Sequence, residues 1–128
     1  MTAGLLDTSV LIAADASAIE LAAVAAISVI TVGELHAGVL LAQQDEIRSL
    51  RQQRLDAVRT AFAPLPVDEP VAERYGELLA LARSQKRAAK ATDLLIVATA
   101  AATSRTLYTL DARQAELARA ADIPVETP

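Results

Sequence analysis

Cysteine and tryptophan are absent from this chain, and histidine occurs once, at His36. Without cysteine there is no disulfide scaffold, zinc ribbon, iron–sulfur centre or thiol nucleophile. One histidine rules out a histidine-rich metal site and leaves a histidine-based triad a single candidate. Aromatics number three, Phe62, Tyr75 and Tyr108. That is too few for the stacking platforms of single-strand binders. Long apolar runs are lacking too. The longest uncharged stretches, residues 21–33 and 94–104, fall well short of the ~20 residues a membrane helix needs. The first residues carry no basic cluster, so no signal peptide is expected and the cytoplasm is the default location. The net charge of −4 gives no general attraction to polyanions.

What is present is aliphatic. The 128 residues include 29 Ala, 18 Leu, 10 Val and 7 Ile, and the mean hydropathy is +0.33. A chain of this size and character is expected to bury one core, as a single domain over residues 1–128. No repeat, linker or composition break divides it.

Short apolar runs alternate with helical patterns, the mark of an α/β fold with a mostly parallel sheet. Strands are predicted at 3–6, 26–30, 65–67, 106–110 and 123–125. Helices are predicted at 8–14, 32–42, 45–63, 71–84, 91–104 and 112–121. Residues 45–63 place Ile47, Leu50, Leu55, Val58 and Phe62 at helical spacing, with arginines between them. Pro64, Pro66 and Pro70 are read as breaking the helical pattern. Residues 91–104 are apolar nearly all round, as in a buried helix.

The chemistry lies in acids that open helices. Asp7 ends the first strand, and Glu34 follows the second. Asp93 starts the most apolar helix, and Asp111 follows the 106–110 strand. Each has an ordinary explanation. Asp7 and Asp111 fit N-caps, Thr31-x-x-Glu34 fits a capping box, and Asp93 fits a helix dipole. As a set they point elsewhere. In a parallel sheet the strand-to-helix turns gather on one edge, where α/β folds bind ligands. Carboxylates converging there repel one another unless some stay protonated or a cation sits among them. Mg²⁺ or Mn²⁺ prefers such oxygen donors and promotes hydrolysis of phosphodiesters.

Leu5-Leu6-Asp7-Thr8-Ser9-Val10, Ile30-Thr31-Val32-Gly33-Glu34-Leu35, Thr92-Asp93-Leu94-Leu95-Ile96-Val97-Ala98 and Thr109-Leu110-Asp111 occur in that order. This quartet resembles the motifs of the PIN-domain nucleases, and most closely those of the VapC toxins of bacterial toxin–antitoxin pairs. The resemblance runs from Leu5 to Val125. It implies a three-layer α/β fold, with a small parallel sheet of about four or five strands flanked by helices. It implies Mg²⁺ or Mn²⁺ held by Asp7 and Asp93, with Glu34 and Asp111 completing a catalytic cluster that hydrolyses RNA. Transfer RNA and ribosomal RNA are both substrates consistent with it. It also implies a homodimer and a VapB-type antitoxin that places an Arg among the carboxylates. Two departures stand out. Many relatives carry Phe shortly after the fourth acid, whereas this chain reads Asp111-Ala112-Arg113-Gln114-Ala115-Glu116. Relatives often have a Gly-containing stretch before the third acid, which here is basic, residues 83–90.

That basic run supplies Lys86, Arg87 and Lys90 as candidate contacts to RNA phosphates; the alternative is a solvated helix end. The arginines of 45–63 read as a solvated face. His36 lies about 200° around a helix from Glu34, so a surface or structural role is expected. Thr8, Ser9 and Thr109 flank the acids and either bond to them or cap turns. Tyr75 and Tyr108 fit core or interface positions. Competing classes are a haloacid-dehalogenase-like phosphatase, a receiver domain and a non-catalytic module with capping acids. The first needs an acid where Ser9 stands. The second needs an acidic pair before Asp7 and a separate lysine after a later strand.

Overall fold

In a computed structural model, the chain is described over residues 3–13 and 25–128. Five strands form one sheet: β1 (Gly4–Leu6), β2 (Ala25–Ser28), β3 (Pro64–Leu65), β4 (Thr106–Tyr108) and β5 (Val125–Glu126). Among the described residues, six helices accompany them: α1 (Thr8–Ala13), α2 (Val29–Leu41), α3 (Asp45–Ala61), α4 (Glu69–Ser84), α5 (Ala91–Ala102) and α6 (Ala112–Ala120). The predicted end of the first helix, Ala14, and residues 21–24 of the first uncharged run lie outside the described residues.

The sheet order is β3-β2-β1-β4-β5, and every pairing is parallel. The chain winds from β1 outward to β3, then crosses back to place β4 on the other side of β1. The order therefore reverses between β1 and β4, the switch point at which open α/β sheets leave a crevice.

Side chains alternate across the sheet, and this divides the core in two. Leu5, Ala26 and Leu107 join one apolar cluster with residues of α4, α5 and α6. Their neighbours Leu6 and Ile27, with Tyr108, join a second cluster with α1, α2 and α3. The result is a three-layer α/β fold, as expected. Helix α5 is buried as its composition predicts, with Ile96, Val97, Ala98 and Ala100 inaccessible.

Several boundaries differ for local reasons. Helix α2 starts at Val29, because the hydroxyl of Ser28 accepts the Ile30 N–H at 3.0 Å and caps it. The β-branched pair Val29-Ile30, read as strand, forms its first turn. Pro70 lies inside the first turn of α4, where its missing N–H costs nothing, behind an Asp68 cap. The apolar stripe of α3 is only partly used. Leu55 and Val58 are buried, with Phe62 just beyond, but Ile47 is 37% and Leu50 60% exposed. Two of the α3 arginines tie down the corner with α2, Arg48 donating to Ala42 O and Arg51 to Gly38 O.

Helices α4, α5 and α6 each end in a left-handed residue, Lys86, Ser104 and Asp122. In each, two backbone N–H groups bond back into the last turn, as Lys86 does to Arg83 O and Arg87 to Ala82 O. No described glycine has positive φ. Gly4 is needed for space instead. A Cβ there would lie 2.7 Å from Tyr108 Cε2 on the neighbouring strand. Gly4→Ala is expected to cost about 1–3 kcal/mol by overpacking, read as a lower urea midpoint with an unchanged slope.

Candidate active site

The two strand ends that meet at the switch point, those of β1 and β4, carry the first polar residues of the site. Asp7 follows β1 directly. Its backbone N–H bonds to Tyr108 O at 2.9 Å, and the residue is 4% exposed. A carboxylate buried this deeply needs donors, and it has three. Ser9 Oγ and Thr109 Oγ1 donate to Oδ2 at 2.7 and 2.8 Å, and Gln114 Nε2 donates to Oδ1 at 3.1 Å. The two hydroxyls in turn accept backbone N–H groups, Ser9 from Leu110 and Thr109 from Asp111, both at 3.0 Å. The carboxylate of Asp7 thus ties the end of β1 to the β4–α6 turn.

Glu34 lies six residues into α2, so it cannot serve the capping box that its spacing with Thr31 suggested. Its Oε1 accepts from Thr8 Oγ1 at 2.8 Å, while Thr8 also approaches Thr31 Oγ1 at 3.1 Å. Burial is the main reason its carboxyl is held above the usual range; Asp93 and Asp7 add repulsion, and the Thr8 bond and Lys90 oppose it. Asp93 is in the first turn of α5. It too is raised, first by burial and then by Asp7 and Asp111, against the pull of Lys90. Asp111 is exposed and caps α6, accepting from Arg113 N at 2.9 Å and Gln114 N at 3.4 Å. Its ordinary explanation as a cap is realised, and it also bears on Asp93. Of the acids named from sequence, Glu34 therefore senses the charges of Asp93 and Asp7, and Asp93 those of Asp7 and Asp111.

A raised carboxyl pKa means that the folded chain holds the proton more tightly than the unfolded chain. The stability linked to that proton is full below the ordinary value, 4.5 for Glu34 and 3.8 for Asp93. It is lost as pH rises through the raised value. In chelator, a Glu34→Gln/Asp93→Asn double variant is expected to melt above the wild type at neutral pH, with the gap closing toward about pH 4. A gap independent of pH would contradict this linkage.

Among the described residues, no three carboxylate or imidazole groups stand ready to hold a metal ion without adjustment. The donor chemistry nevertheless suits a hard divalent cation. All four groups are carboxylates, and two are destabilised as anions by burial and by their neighbours.

Beside the acids lies a pocket of about 390 Å³ whose walls include Arg87, Lys90, Asp93, Asp111, Arg113 and Gln114. Arg87 also faces Glu116 at 3.7 Å. Of the basic run, Arg87 and Lys90 reach this pocket; Lys86 is exposed at the left-handed end of α4. His36 is exposed. Sequence reasoning overlooked Arg113 and Gln114. A signal for Gln114 existed: it stands on the face of α6 that buries Ala115, Leu117 and Ala118, and a polar residue on such a face needs a partner.

The profile of the PIN domain family matches residues 4–120. The chain belongs to this family. Among its relatives, ribonuclease VapC8 of Mycobacterium tuberculosis is 43% identical over 101 residues, covering 76% of this chain and 89% of the relative. Ribonuclease VapC5 of the same organism is 36% identical over 128 residues, covering 96% and 93%. The crystal structure of VapBC-5, a member of the VapBC family of toxin–antitoxin systems from M. tuberculosis, superposes with a TM-score of 0.88 at 34% identity, covering 100% of both chains. This PIN domain thus has the same fold as that structure. None of its described helices is long and apolar enough to cross a membrane.

Proposed function

We propose that this PIN domain, one unit over residues 1–128, is a divalent-metal-dependent endoribonuclease and the toxin of a VapC-type toxin–antitoxin pair. What supports the reading is that Glu34 is raised by burial and by the charges of Asp93 and Asp7, and Asp93 by burial and by those of Asp7 and Asp111. The ribonuclease names of two relatives support it.

Asp7 and Asp93 would hold Mg²⁺ or Mn²⁺, with Glu34 and Asp111 completing the cluster. When bound, the ion neutralises charge on the phosphodiester and polarises a water for in-line attack. The remaining work belongs to side chains of this chain. Ser9, Thr109 and Gln114 hold Asp7 still. Glu34, fixed by Thr8 through one oxygen, is suited to orient the attacking water, and its raised pKa makes its carboxylate a better proton acceptor. Lys86, Arg87 and Lys90 contact RNA phosphates, with Arg87 and Lys90 doing so from the pocket wall. The substrate is transfer RNA or ribosomal RNA, met in the cytoplasm. The partners are a VapB-type antitoxin and a second copy of the chain. The toxin–antitoxin title of the VapBC-5 structure supports the former. The exposed Leu40, Leu41 and Leu50 of α2 and α3 offer apolar surface for such contacts.

The test incubates the purified chain with transfer and ribosomal RNA in Mn²⁺, in chelator, and as Asp93→Asn, with new 5′ ends mapped. Discrete cuts that need both the ion and Asp93 are expected. RNA left intact by the wild type in Mn²⁺ would overturn the reading in favour of a non-catalytic module with capping acids.

A further inference from the structure

We infer that Gln114 is a positioning residue that decides which lone pair of Asp7 faces the acidic cluster. This rests on the metal-site reading above. Gln114 is 3% exposed. Asp7 can only accept, so the orientation of the Gln114 amide is forced: Nε2 faces Asp7 Oδ1, and Oε1 points away. That oxygen is buried and has no hydrogen-bond partner among the described residues. An orphaned acceptor is a stability penalty, and an apolar residue on this face of α6 would avoid it. The penalty is understandable if the other end of the amide serves the site.

The lone-pair count says how. A carboxylate offers about four acceptor positions. In Asp7 the Ser9 and Thr109 hydroxyls occupy Oδ2, and Gln114 takes one position on Oδ1. One position on Oδ1 remains, and Gln114 sets its direction. The backbone N–H of the same residue lies 3.4 Å from Asp111 Oδ1. Gln114 therefore couples the first acid of the cluster to the fourth, and the residue lines the pocket that Asp93 also lines. Groups that orient a metal-binding carboxylate in this way commonly control affinity by 10–100-fold.

The experiment is a calorimetric titration of Mn²⁺ into wild type, Gln114→Met, Gln114→Asn and Asp93→Asn, with circular dichroism and melting curves for each. Methionine keeps the volume and loses the donor; asparagine keeps the amide but draws it back by one methylene. Both folded variants are expected to bind Mn²⁺ about 10–100-fold more weakly than wild type. A purely structural role would shift the melting temperature and leave Mn²⁺ affinity alone. Wild-type affinity in either folded Gln114 variant overturns the inference. Should Gln114→Met fail to fold, Gln114→Asn decides. If wild type itself does not bind Mn²⁺, or Asp93→Asn binds as well as wild type, the metal-site reading has failed and Gln114 falls with it.

Discussion

Asp7→Asn is expected to keep the fold and to lose at least about two orders of magnitude in RNA cleavage. The loss follows from charge. A metal-supported phosphodiester hydrolysis draws several kcal/mol of transition-state stabilisation from the ion, and each 1.36 kcal/mol is about tenfold in rate. Retention of the fold follows from the hydrogen-bond pattern. An Asn oxygen in place of Oδ2 still accepts from Ser9 and Thr109. Its amide nitrogen, in place of Oδ1, faces a Gln114 amide that can turn to accept. Stability is expected to stay within about 1 kcal/mol of wild type, since a charge-assisted bond is exchanged for a neutral one while repulsion with Glu34 and Asp93 falls. Asp7→Ala is the contrast. It strands three donors at once, the buried Thr109 and Gln114 and the half-buried Ser9, and each buried one costs about 1–3 kcal/mol when left unmade. Single-turnover cleavage beside urea unfolding separates the two. Full activity in folded Asp7→Asn would remove Asp7 from the site.

Ile96→Ala is expected to lower stability by about 2–5 kcal/mol, the range for truncating a buried branched aliphatic residue. Ile96 is fully inaccessible at the centre of α5, within the cluster that joins β1, β2 and β4 to α4 and α6. Small domains are stable by only about 5–15 kcal/mol, so this one truncation removes a large share. The urea midpoint should fall with little change in slope. Cleavage should fall only in proportion to the fraction folded, because Ile96 is no member of the acidic cluster. A loss under about 1 kcal/mol would mean that the site collapses to fill the space.

Much of the fold was legible because it is written in short-range patterns. Alternation within three- and four-residue strands sends Leu5 and Leu6 to opposite layers, and a period of two is visible in any sequence. Helix ends were harder. The usual glycine signal is missing, since Lys86, Ser104 and Asp122 take the left-handed positions. The start of α2 was misplaced because Val29 and Ile30 favour strands intrinsically, while the Ser28 hydroxyl overrides that preference locally. The stripe on α3 looked uniformly core-facing. Whether Leu50 is covered depends on what lies opposite, and nothing among the described residues covers it.

The sequence by itself determined the composition limits, the alternation of strands and helices, and the order of Asp7, Glu34, Asp93 and Asp111 along the chain. These depend on residue type and on spacings of a few positions. Only the tertiary structure decided which side chains serve those acids. Thr109 and Gln114 reach Asp7 from 102 and 107 residues away, and Thr8 meets Glu34 across 26. Such partners are chosen by the parallel packing of β4 against β1 and by the burial it imposes. A buried carboxylate takes whatever donors the neighbouring strand end brings, and no local pattern records that neighbour.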